Sequence, residues 1–415
     1  MARPGQDVYV VGVGMTPFGK FAERSVRDLT RTAVGAALED AGIGTDRIEA
    51  AYFANAAQGP MEGQFNVGGQ MALRPMGFQG IPIANVENAC ASASTAFHLA
   101  TQQIRAGLAD VVLAVGAEKL YSTDKERTFA VFNGAWDVHN AEATMKGLLE
   151  LGEGVEPPAG TETPKQKSLF MDVYAALARF HMKKFGTTER QLAAISAKNH
   201  GHAALNPLSQ YRNPMSVDEV LGARMISWPL TLPMCAPISD GSAAAVLCSK
   251  DALAGFARAR AIRVRASVLA TSLDRRADEL DKHITRRAAL KAYDAAGLGP
   301  EQMSLAEVHD ATAFAEVQQL ESLGFCKLGQ GGPLSESGAT RLGGSIPVNV
   351  SGGLECKGHP IGATGLGQLY ELVVQLRGEA GARQVKNARF GIAENGGGFY
   401  RWEEAVACMT ILGNE

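Results

Sequence analysis

The chain has 415 residues, of which 46% are hydrophobic and 20% are charged, and its formal net charge is −3. This length suits two or three ordinary domains with a large core, and the composition is that of a soluble globular protein. The absence of a basic block argues against a nucleic-acid partner, and no uncharged apolar stretch is long enough to span a membrane.

The cysteines indicate a reducing compartment. Six of them are scattered along the chain, and none forms a C-x-x-C pair, so neither a zinc ribbon nor another bound metal is expected. The first residues lack the apolar region and cleavage site of a secretory signal. We therefore expect a cytoplasmic protein with free thiols.

The first part of the chain alternates strands and helices. β-Branched and apolar runs predict strands, and a pattern of apolar residues at helical spacing that ends at Gly42 predicts a helix. The predicted strands are residues 8–13, 50–53, 81–86 and 110–115, and the predicted helix is residues 25–41. With the strand expected near residues 235–248, they form a first half made of residues 1–120 plus 231–255.

Residues 121–230 have a different character, with two adjacent prolines, charged patches and separate helical patterns over 168–184 and 188–203. We interpret them as an inserted loop domain that covers a site. Residues 256–415 repeat the first pattern, with strands over 262–270, 305–308, 388–393 and 405–412 and helices over 281–297, 313–323 and 366–376. This alternation predicts layered α/β halves with largely parallel sheets.

Cys90 lies in the stretch 85–100, which reads NVENACASASTAFHLA. The pattern predicts a strand end, a tight turn and the start of a helix. At a helix start the unpaired backbone N–H groups and the helix dipole lower the pKa of a thiol and favour the nucleophilic thiolate. The alternative is that Cys90 is only a small buried apolar side chain.

Three more residues could meet Cys90 at strand ends. His359 stands in the glycine-rich segment GHPIGATG and could act as its base. His309 stands before Asp310 and could either support an oxyanion or cap the next helix. Glu394 follows an apolar strand, where an unpaired carboxylate is costly, so we expect it to be salt-bridged or tuned as an acid/base group.

At these residues the sequence resembles the thiolase superfamily, most closely its sterol-carrier-protein-type branch. The matching stretches are ENACASAS, KFGTTERQLAAISAKNHGHAALNPLSQYR, CAPISDGSAAA, EVHDATAFAE and SGGLECKGHPIGATG. The resemblance implies two similar halves in a five-layered α-β-α-β-α core with the loop domain inserted. It also implies an oligomer built on a homodimer, acyl-CoA and coenzyme A as substrates, and no permanently bound cofactor.

The resemblance also implies the roles of the site residues. Cys90 would be the acylated nucleophile, His359 its activator, and His309 would share an oxyanion hole with His359. The backbone N–H of Cys90 and the region of Asn395, Gly396 and Gly397 would form a second hole.

The sequence departs from the family at the second catalytic cysteine. Residues 394–398 read ENGGG and residues 309–312 read HDAT, and neither keeps that cysteine. A carboxylate whose pKa is raised by an apolar site, Glu394, could replace it, and Cys356 is a weaker substitute. A similar pattern occurs in thiolase-like subunits that work with a small partner of OB-fold and zinc-ribbon type, including benzoylsuccinyl-CoA thiolase.

These observations predict an acyltransferase that cleaves a 3-oxoacyl-CoA with coenzyme A through an acyl-cysteine. A bulky or aromatic substrate such as benzoylsuccinyl-CoA is included in this expectation. The alternatives are a thiolase-fold aldolase that acts on a hydroxyacyl-CoA, and a subunit without catalytic activity that only binds acyl-CoA. Cys90 argues against the aldolase, and the missing second cysteine favours the binding subunit.

Overall fold

A computed structural model of the chain describes residues 5–161 and 169–414. Its strands, numbered β1 to β11, are Val8–Met15, Ala50–Ala54, Ile83–Val86, Val111–Glu118, Met225–Ser227, Leu230–Thr231, Gly241–Ser249, Ile262–Thr271, Leu305–Glu307, Phe390–Gly397 and Val406–Gly413. Its helices, numbered α1 to α14, are Val26–Ala41, Gln58–Glu62, Gly68–Leu73, Ser92–Arg105, Lys125–Ala130, Ala141–Glu150, Leu169–Phe185, Glu189–Ala204, Val217–Leu221, Ile284–Ala296, Ala313–Ser322, Gly331–Glu336, Gly353–Lys357 and Thr364–Leu376. The first residue of the helix predicted over 168–184, Ser168, lies outside the described residues.

Local signals explain why the long helices begin and end where they do. Helix α1 starts after Ser25, whose hydroxyl accepts from the backbone N–H of Asp28, while the Asp28 carboxylate accepts from the backbone of Ser25. It ends at Gly42, which has a φ of 69° and suits the left-handed turn. Thr188 and Gln191 form the same reciprocal cap at the start of α8.

One sheet of nine strands runs through the described residues, in the order β3-β2-β4-β7-β1-β8-β11-β10-β9. Of its eight pairings, only β2–β3, β2–β4 and β9–β10 are parallel. The prediction of largely parallel sheets is therefore wrong. The direct hairpin between β10 and β11 requires antiparallel pairing, and β7 returns from the inserted segment in the direction opposite to β1 and β4.

The elements stack in five layers, as the α-β-α-β-α core requires. Helix α1 packs on the outer side of β1, β4 and β7, and α10 packs on the outer side of β8 and β11. Helices α4 and α14 contact each other and strands of both halves, so they form the central layer. Only the pairs Tyr9 with Arg263 and Val10 with Ile262 join the strands of the two halves.

Helices α5 to α9 lie between β4 and β7, and α6 to α9 contribute to one hydrophobic cluster. That cluster includes Trp136 and Tyr174 of the insertion together with Phe314 and Phe399 of the second half. The inserted segment is therefore packed onto the second half, close to the end of β10. Across the described residues, none of the helices combines the length and apolarity needed to cross a bilayer.

Candidate active site

Cys90 lies in the tight turn between β3 and α4. Ala89, just before it, has a φ of 48°, a left-handed conformation that costs an alanine about 1 kcal/mol. Two hydrogen bonds hold this turn: the Ser92 hydroxyl donates to the Ala89 carbonyl at 2.6 Å, and it accepts from the Asn88 N–H at 2.8 Å. The sequence pattern of a strand end, a turn and a helix start is thus observed around Cys90.

The structure brings Cys90, His309 and His359 together. The cysteine sulfur and one ring nitrogen from each histidine all lie within 4.8 Å of one another. The two imidazole rings are edge to face, with centroids 5.0 Å apart. A nucleophile with two potential proton carriers around it suits covalent catalysis, and by ligand type the same groups could hold a zinc ion.

The hydrogen bonds around His359 leave one ring nitrogen available as a base. Its Nδ1 lies 2.8 Å from Oγ1 of Thr364, and that hydroxyl donates its own hydrogen to the Pro360 carbonyl at 3.1 Å. The hydroxyl oxygen must therefore accept a hydrogen bond from Nδ1–H. The ring hydrogen is then on Nδ1, and the Nε2 lone pair is free. The Ser239 hydroxyl fixes the backbone by accepting from the His359 N–H at 3.0 Å.

The hydrogen bonds around His309 favour the tautomer opposite to that of His359. The Ser94 hydroxyl donates to Oδ1 of Asn395 at 2.8 Å, so the amide nitrogen of Asn395 faces Nδ1 of His309 at 3.0 Å. Nδ1 then accepts and Nε2 carries the hydrogen, which makes His309 a donor toward the site. Asn395, expected at an oxyanion hole, therefore contacts His309 and sets its tautomer.

Burial favours the neutral forms of the three reactive side chains. Burial lowers the pKa of His309 to about 4 and that of His359 well below its ordinary value. Burial, with a smaller contribution from the charge of Glu118, raises the pKa of the Cys90 thiol to about 12. The expected lowering of the thiol pKa is thus wrong. Cys90 precedes the first residue of α4 by two positions, and desolvation outweighs the nearby N–H groups.

The three glycines after Asn395 have different surroundings. Gly397 passes so close to the Cys90 turn that a Cβ there would lie 2.3 Å from the Asn88 carbonyl oxygen. Gly396 faces away, toward Glu404, whose Cγ would be 2.7 Å from such a Cβ. The backbone N–H of Gly398 acts on the Cys90 sulfur and lowers the pKa of the thiol. Gly398 is therefore a candidate backbone donor that the sequence analysis missed, and the run of three glycines was its only signal.

Glu394 lies behind His309 and outside the group of three reactive side chains. One of its oxygens, Oε2, accepts from the His309 N–H at 2.9 Å, and Oε1 is buried and has no hydrogen-bond partner among the described residues. Burial and the charge of Glu404 raise its pKa to about 8, which the His309 N–H partly offsets. The sequence predicts that Glu394 is either salt-bridged or tuned as an acid/base group. No salt bridge to Glu394 is found in the described ranges.

Two further buried residues, Glu118 and Cys356, lie close to the site in the structure or in the sequence. Glu118, a fully buried residue at the end of β4 that the sequence analysis did not single out, accepts from four N–H groups, those of the Asn55 side chain, Ala56, Ala57 and Gly362, at 2.8 to 3.1 Å. It thereby ties the first half to the segment that carries His359. Cys356 is fully buried in α13, and burial and nearby carboxylates raise its pKa well above the ordinary value.

Family models match both halves of the chain. The model described as "Thiolase, N-terminal domain" matches residues 8–226, and the model "Thiolase C-terminal domain-like" matches residues 266–414. Together they include the Cys90 turn, both histidines and the glycines after Asn395.

Curated relatives are similar over nearly the whole chain. An acetyl-CoA acetyltransferase of Methanothermobacter thermautotrophicus is 36% identical over 95% of this chain and 97% of its own. Sterol carrier protein 2 of Gallus gallus is 37% identical over 94% of this chain and 69% of its own. Benzoylsuccinyl-CoA thiolase subunit BbsB of Thauera aromatica is 34% identical over 91% of both chains.

Solved structures share the fold. The Ltp2-ChsH2(DUF35) aldolase gives a TM-score of 0.76 at 23% identity and covers 99% of this chain and 98% of its own. Human mitochondrial 3-ketoacyl-CoA thiolase in complex with CoA gives 0.68 at 16% identity and covers 100% and 99%. The family models, the relatives and the shared fold agree, and the chain is therefore a member of the thiolase family of enzymes.

Proposed function

We propose that this enzyme cleaves a 3-oxoacyl-CoA with coenzyme A through an acyl group bound to Cys90. The observation that carries the proposal is the cluster in which the Cys90 sulfur and ring nitrogens of His309 and His359 lie within 4.8 Å of one another. The names of the acetyltransferase and thiolase relatives support the same chemistry.

The first half-reaction starts from neutral groups. Nε2 of His359 takes the thiol proton as the Cys90 sulfur attacks the 3-oxo carbon and forms a carbon–sulfur bond. The N–H groups of Cys90 and Gly398, which face the sulfur, stabilise the oxyanion that develops there. When the carbon–carbon bond breaks, the leaving acyl-CoA enolate keeps its charge near Nε2–H of His309.

The second half-reaction releases the acyl group. Glu394, protonated near neutral pH because burial raises its pKa to about 8, supplies the proton for the enolate carbon. The thiol of coenzyme A then attacks the acyl-cysteine and gives its proton to this carboxylate, and Cys90 leaves and regains its proton from His359. The proton of the coenzyme A thiol thus restores Glu394, which has given its own proton to the enolate carbon.

The surroundings of Cys90 favour a bulky or aromatic acyl group. Cys90 and Phe132 pack against the same hydrophobic cluster, and Phe132 begins a chain of ring contacts within the insertion. Phe132 lies 5.6 Å from Phe170, which stacks on Trp136 at 4.6 Å, both measured between ring centroids. Such faces bind aromatic rings well, and the name of the benzoylsuccinyl-CoA relative is consistent with this.

The alternative is a thiolase-fold aldolase, because one structural neighbour carries that name. An aldolase does not need an acylated cysteine. The Cys90 sulfur with two histidines and two backbone N–H groups around it favours the thiolase, and the same cluster argues against a subunit that only binds acyl-CoA.

The proposal is tested by incubating the purified chain with an aromatic 3-oxoacyl-CoA. We expect cleavage only when coenzyme A is added, and a mass increase on the chain when it is withheld. Cleavage of the matching 3-hydroxyacyl-CoA to an aldehyde or ketone without any covalent adduct would instead identify an aldolase. Binding without either reaction would identify the non-catalytic subunit.

We also propose a homodimer and a small second subunit of OB-fold and zinc-ribbon type. Strand β3 is at the sheet edge, beside a groove of about 280 Å³ that includes Phe65 and Val67, which are 75% and 49% exposed. The benzoylsuccinyl-CoA thiolase relative is named as a subunit, and the name of the aldolase neighbour contains two protein names. Native mass analysis should give the dimer mass and, after co-expression with the neighbouring gene, a larger zinc-containing complex. A monomer, or full activity of the chain alone, would contradict the respective proposal.

We propose that the protein works in the cytoplasm, because its six cysteines are free. A disulfide found by mass analysis of freshly purified protein would contradict this location.

A further inference from the structure

The three reactive side chains of the site also form a set of metal ligands. The Cys90 sulfur and one ring nitrogen from each of His309 and His359 lie within 4.8 Å of one another. A thiolate and two imidazoles are ligands that zinc prefers, and they leave a fourth position for a water molecule. In the described part of the chain, no second group of three or more cysteine, histidine or carboxylate side chains is this close together.

The spacing of these atoms suits one zinc ion after small side-chain rotations. Tetrahedral zinc, with a bond of about 2.3 Å to sulfur and about 2.0–2.1 Å to nitrogen, holds its ligand atoms about 3.3–3.6 Å apart. The limit of 4.8 Å therefore leaves at most about 1.5 Å to be closed. Cys90 is partly exposed and both histidines are buried, so an ion reaches the site from the side of the sulfur.

His359 is already held in the state that a zinc ligand needs. Its Nδ1–H donates to Oγ1 of Thr364 at 2.8 Å, so the Nε2 lone pair is free for a cation. Zinc-bound histidines in proteins almost always donate their other ring N–H in this way, which fixes the tautomer and makes the ring a stronger ligand. Thr364 thus orients His359 for a metal as well as for a proton.

His309 becomes a ligand when one amide turns over. In the tautomer described above, its hydrogen is on Nε2, and its Nδ1 accepts from the Asn395 amide at 3.0 Å. After the turn, the Asn395 oxygen accepts from Nδ1–H, the amide nitrogen donates to the Ser94 hydroxyl, and Nε2 is free. Both hydrogen bonds are therefore retained. The only proton released to solvent is that of the Cys90 thiol, because a coordinating thiol is deprotonated.

We propose that Cys90, His309 and His359 reversibly bind one zinc ion, with water as the fourth ligand, and that the bound zinc inhibits the enzyme. The ion occupies the sulfur that attacks the substrate and the Nε2 lone pair of His359 that takes the thiol proton. Zinc is thus an inhibitor and not a cofactor, because it competes with the substrate for the same groups. The binding site is independent of the thiolase reaction proposed above, whereas the inhibition rests on it.

The binding is measured first, without any substrate. The purified chain, freed of metal by a chelator, should take up one zinc ion in competition with a chromogenic chelator. Cobalt in place of zinc should give the sulfur-to-cobalt charge-transfer band of a thiolate ligand. Thr364→Val should weaken zinc binding about 10–100-fold, the usual effect of losing the hydrogen-bond partner of a ligand. Cys90→Ala should lose both the binding and the band, and Cys356→Ala, which removes a buried thiol outside the cluster, should retain both.

A second measurement links the ion to the nucleophile. Zinc should protect Cys90 from iodoacetamide in proportion to its occupancy, and a chelator should restore both alkylation and thiolysis. Unchanged zinc binding in Cys90→Ala, a cobalt spectrum without the charge-transfer band, or alkylation that zinc does not slow would each overturn the proposed site. Thiolysis that proceeds with zinc bound would overturn the inhibition. A chain that binds zinc at Cys90 but cleaves no 3-oxoacyl-CoA would instead overturn the proposed function and support the metal site.

Discussion

Replacing Cys90 by alanine should abolish the acyl-enzyme and reduce thiolysis to the rate without enzyme. No other thiol among the described residues is part of the cluster with His309 and His359. The fold should persist, because Cys90 is only partly buried and alanine keeps its Cβ. Intact mass analysis after incubation with the 3-oxoacyl-CoA, without coenzyme A, measures the covalent adduct directly.

The matched control is Cys356→Ala, which removes a thiol three residues before His359. Cys356 is buried in α13, and its raised pKa makes it a poor nucleophile. We expect this variant to acquire the adduct like the wild type. An adduct that survives in Cys90→Ala and vanishes in Cys356→Ala would transfer the nucleophilic role to Cys356.

Replacing His359 by alanine should lower the rate of thiolysis by about 10²–10⁴-fold, the usual contribution of a general base. The thiol of Cys90 has a pKa of about 12 and does not ionise by itself at neutral pH. The Nε2 atom of His359, which Thr364 leaves free, is the proposed acceptor for the thiol proton. Steady-state kinetics at saturating substrate and coenzyme A measures the loss.

A thiol alkylation profile checks the reason for this loss. In the wild-type chain, the rate at which iodoacetamide modifies Cys90 should rise steadily into the alkaline range, because both histidines are neutral in the resting site. A rate that is flat from slightly acidic pH upward would indicate a thiolate–imidazolium pair and contradict the proposed start of the reaction. His139→Ala, which removes an exposed histidine, is the control and should behave as wild type.

Local patterns were enough to predict most elements of the fold. The cap at Ser25, the apolar spacing after it and Gly42 define α1 without any distant contact. Strand direction could not be predicted in this way, because β7 and β11 are placed by partners far away in sequence. The order of strands in the sheet depends on those contacts, and a single sequence does not contain them as a pattern.

Glu394 shows the same limit within the site. The apolar run predicted a strand that ends at Ala393, with Glu394 in the loop beyond it. The strand β10 continues through Gly397 because Glu394 to Gly397 pair in register with residues 406–409 of β11. That pairing overrides the weak strand preference of glycine and turns Glu394 and Asn395 to opposite faces. The catalytic roles of these residues stay predictions until the variants are measured.

The pKa of Cys90 was mispredicted for a related reason. The position near a helix start is visible in the sequence, and it favours the thiolate. The depth at which the turn is buried is set by distant residues: Cys90 packs against a hydrophobic cluster that includes Ile361 of the second half, and Phe132 of the insertion packs against the same cluster. The position near a helix start predicts the sign of one contribution to the pKa of Cys90. Burial by the three-dimensional packing supplies the larger contribution, which has the opposite sign.

The hydrogen bond from the Gly362 N–H to the Glu118 carboxylate bears on how the enzyme loses activity. The nucleophile belongs to the first half, while both histidines and the Gly398 N–H belong to the second, so the reacting groups exist as a unit only where the halves are docked. Catalysis tolerates misplacement of only about 1 Å. A small separation of the two halves therefore removes catalytic activity while each half still keeps its strands and helices. Loss of turnover is then a more sensitive measure of the contact between the halves than helix content is.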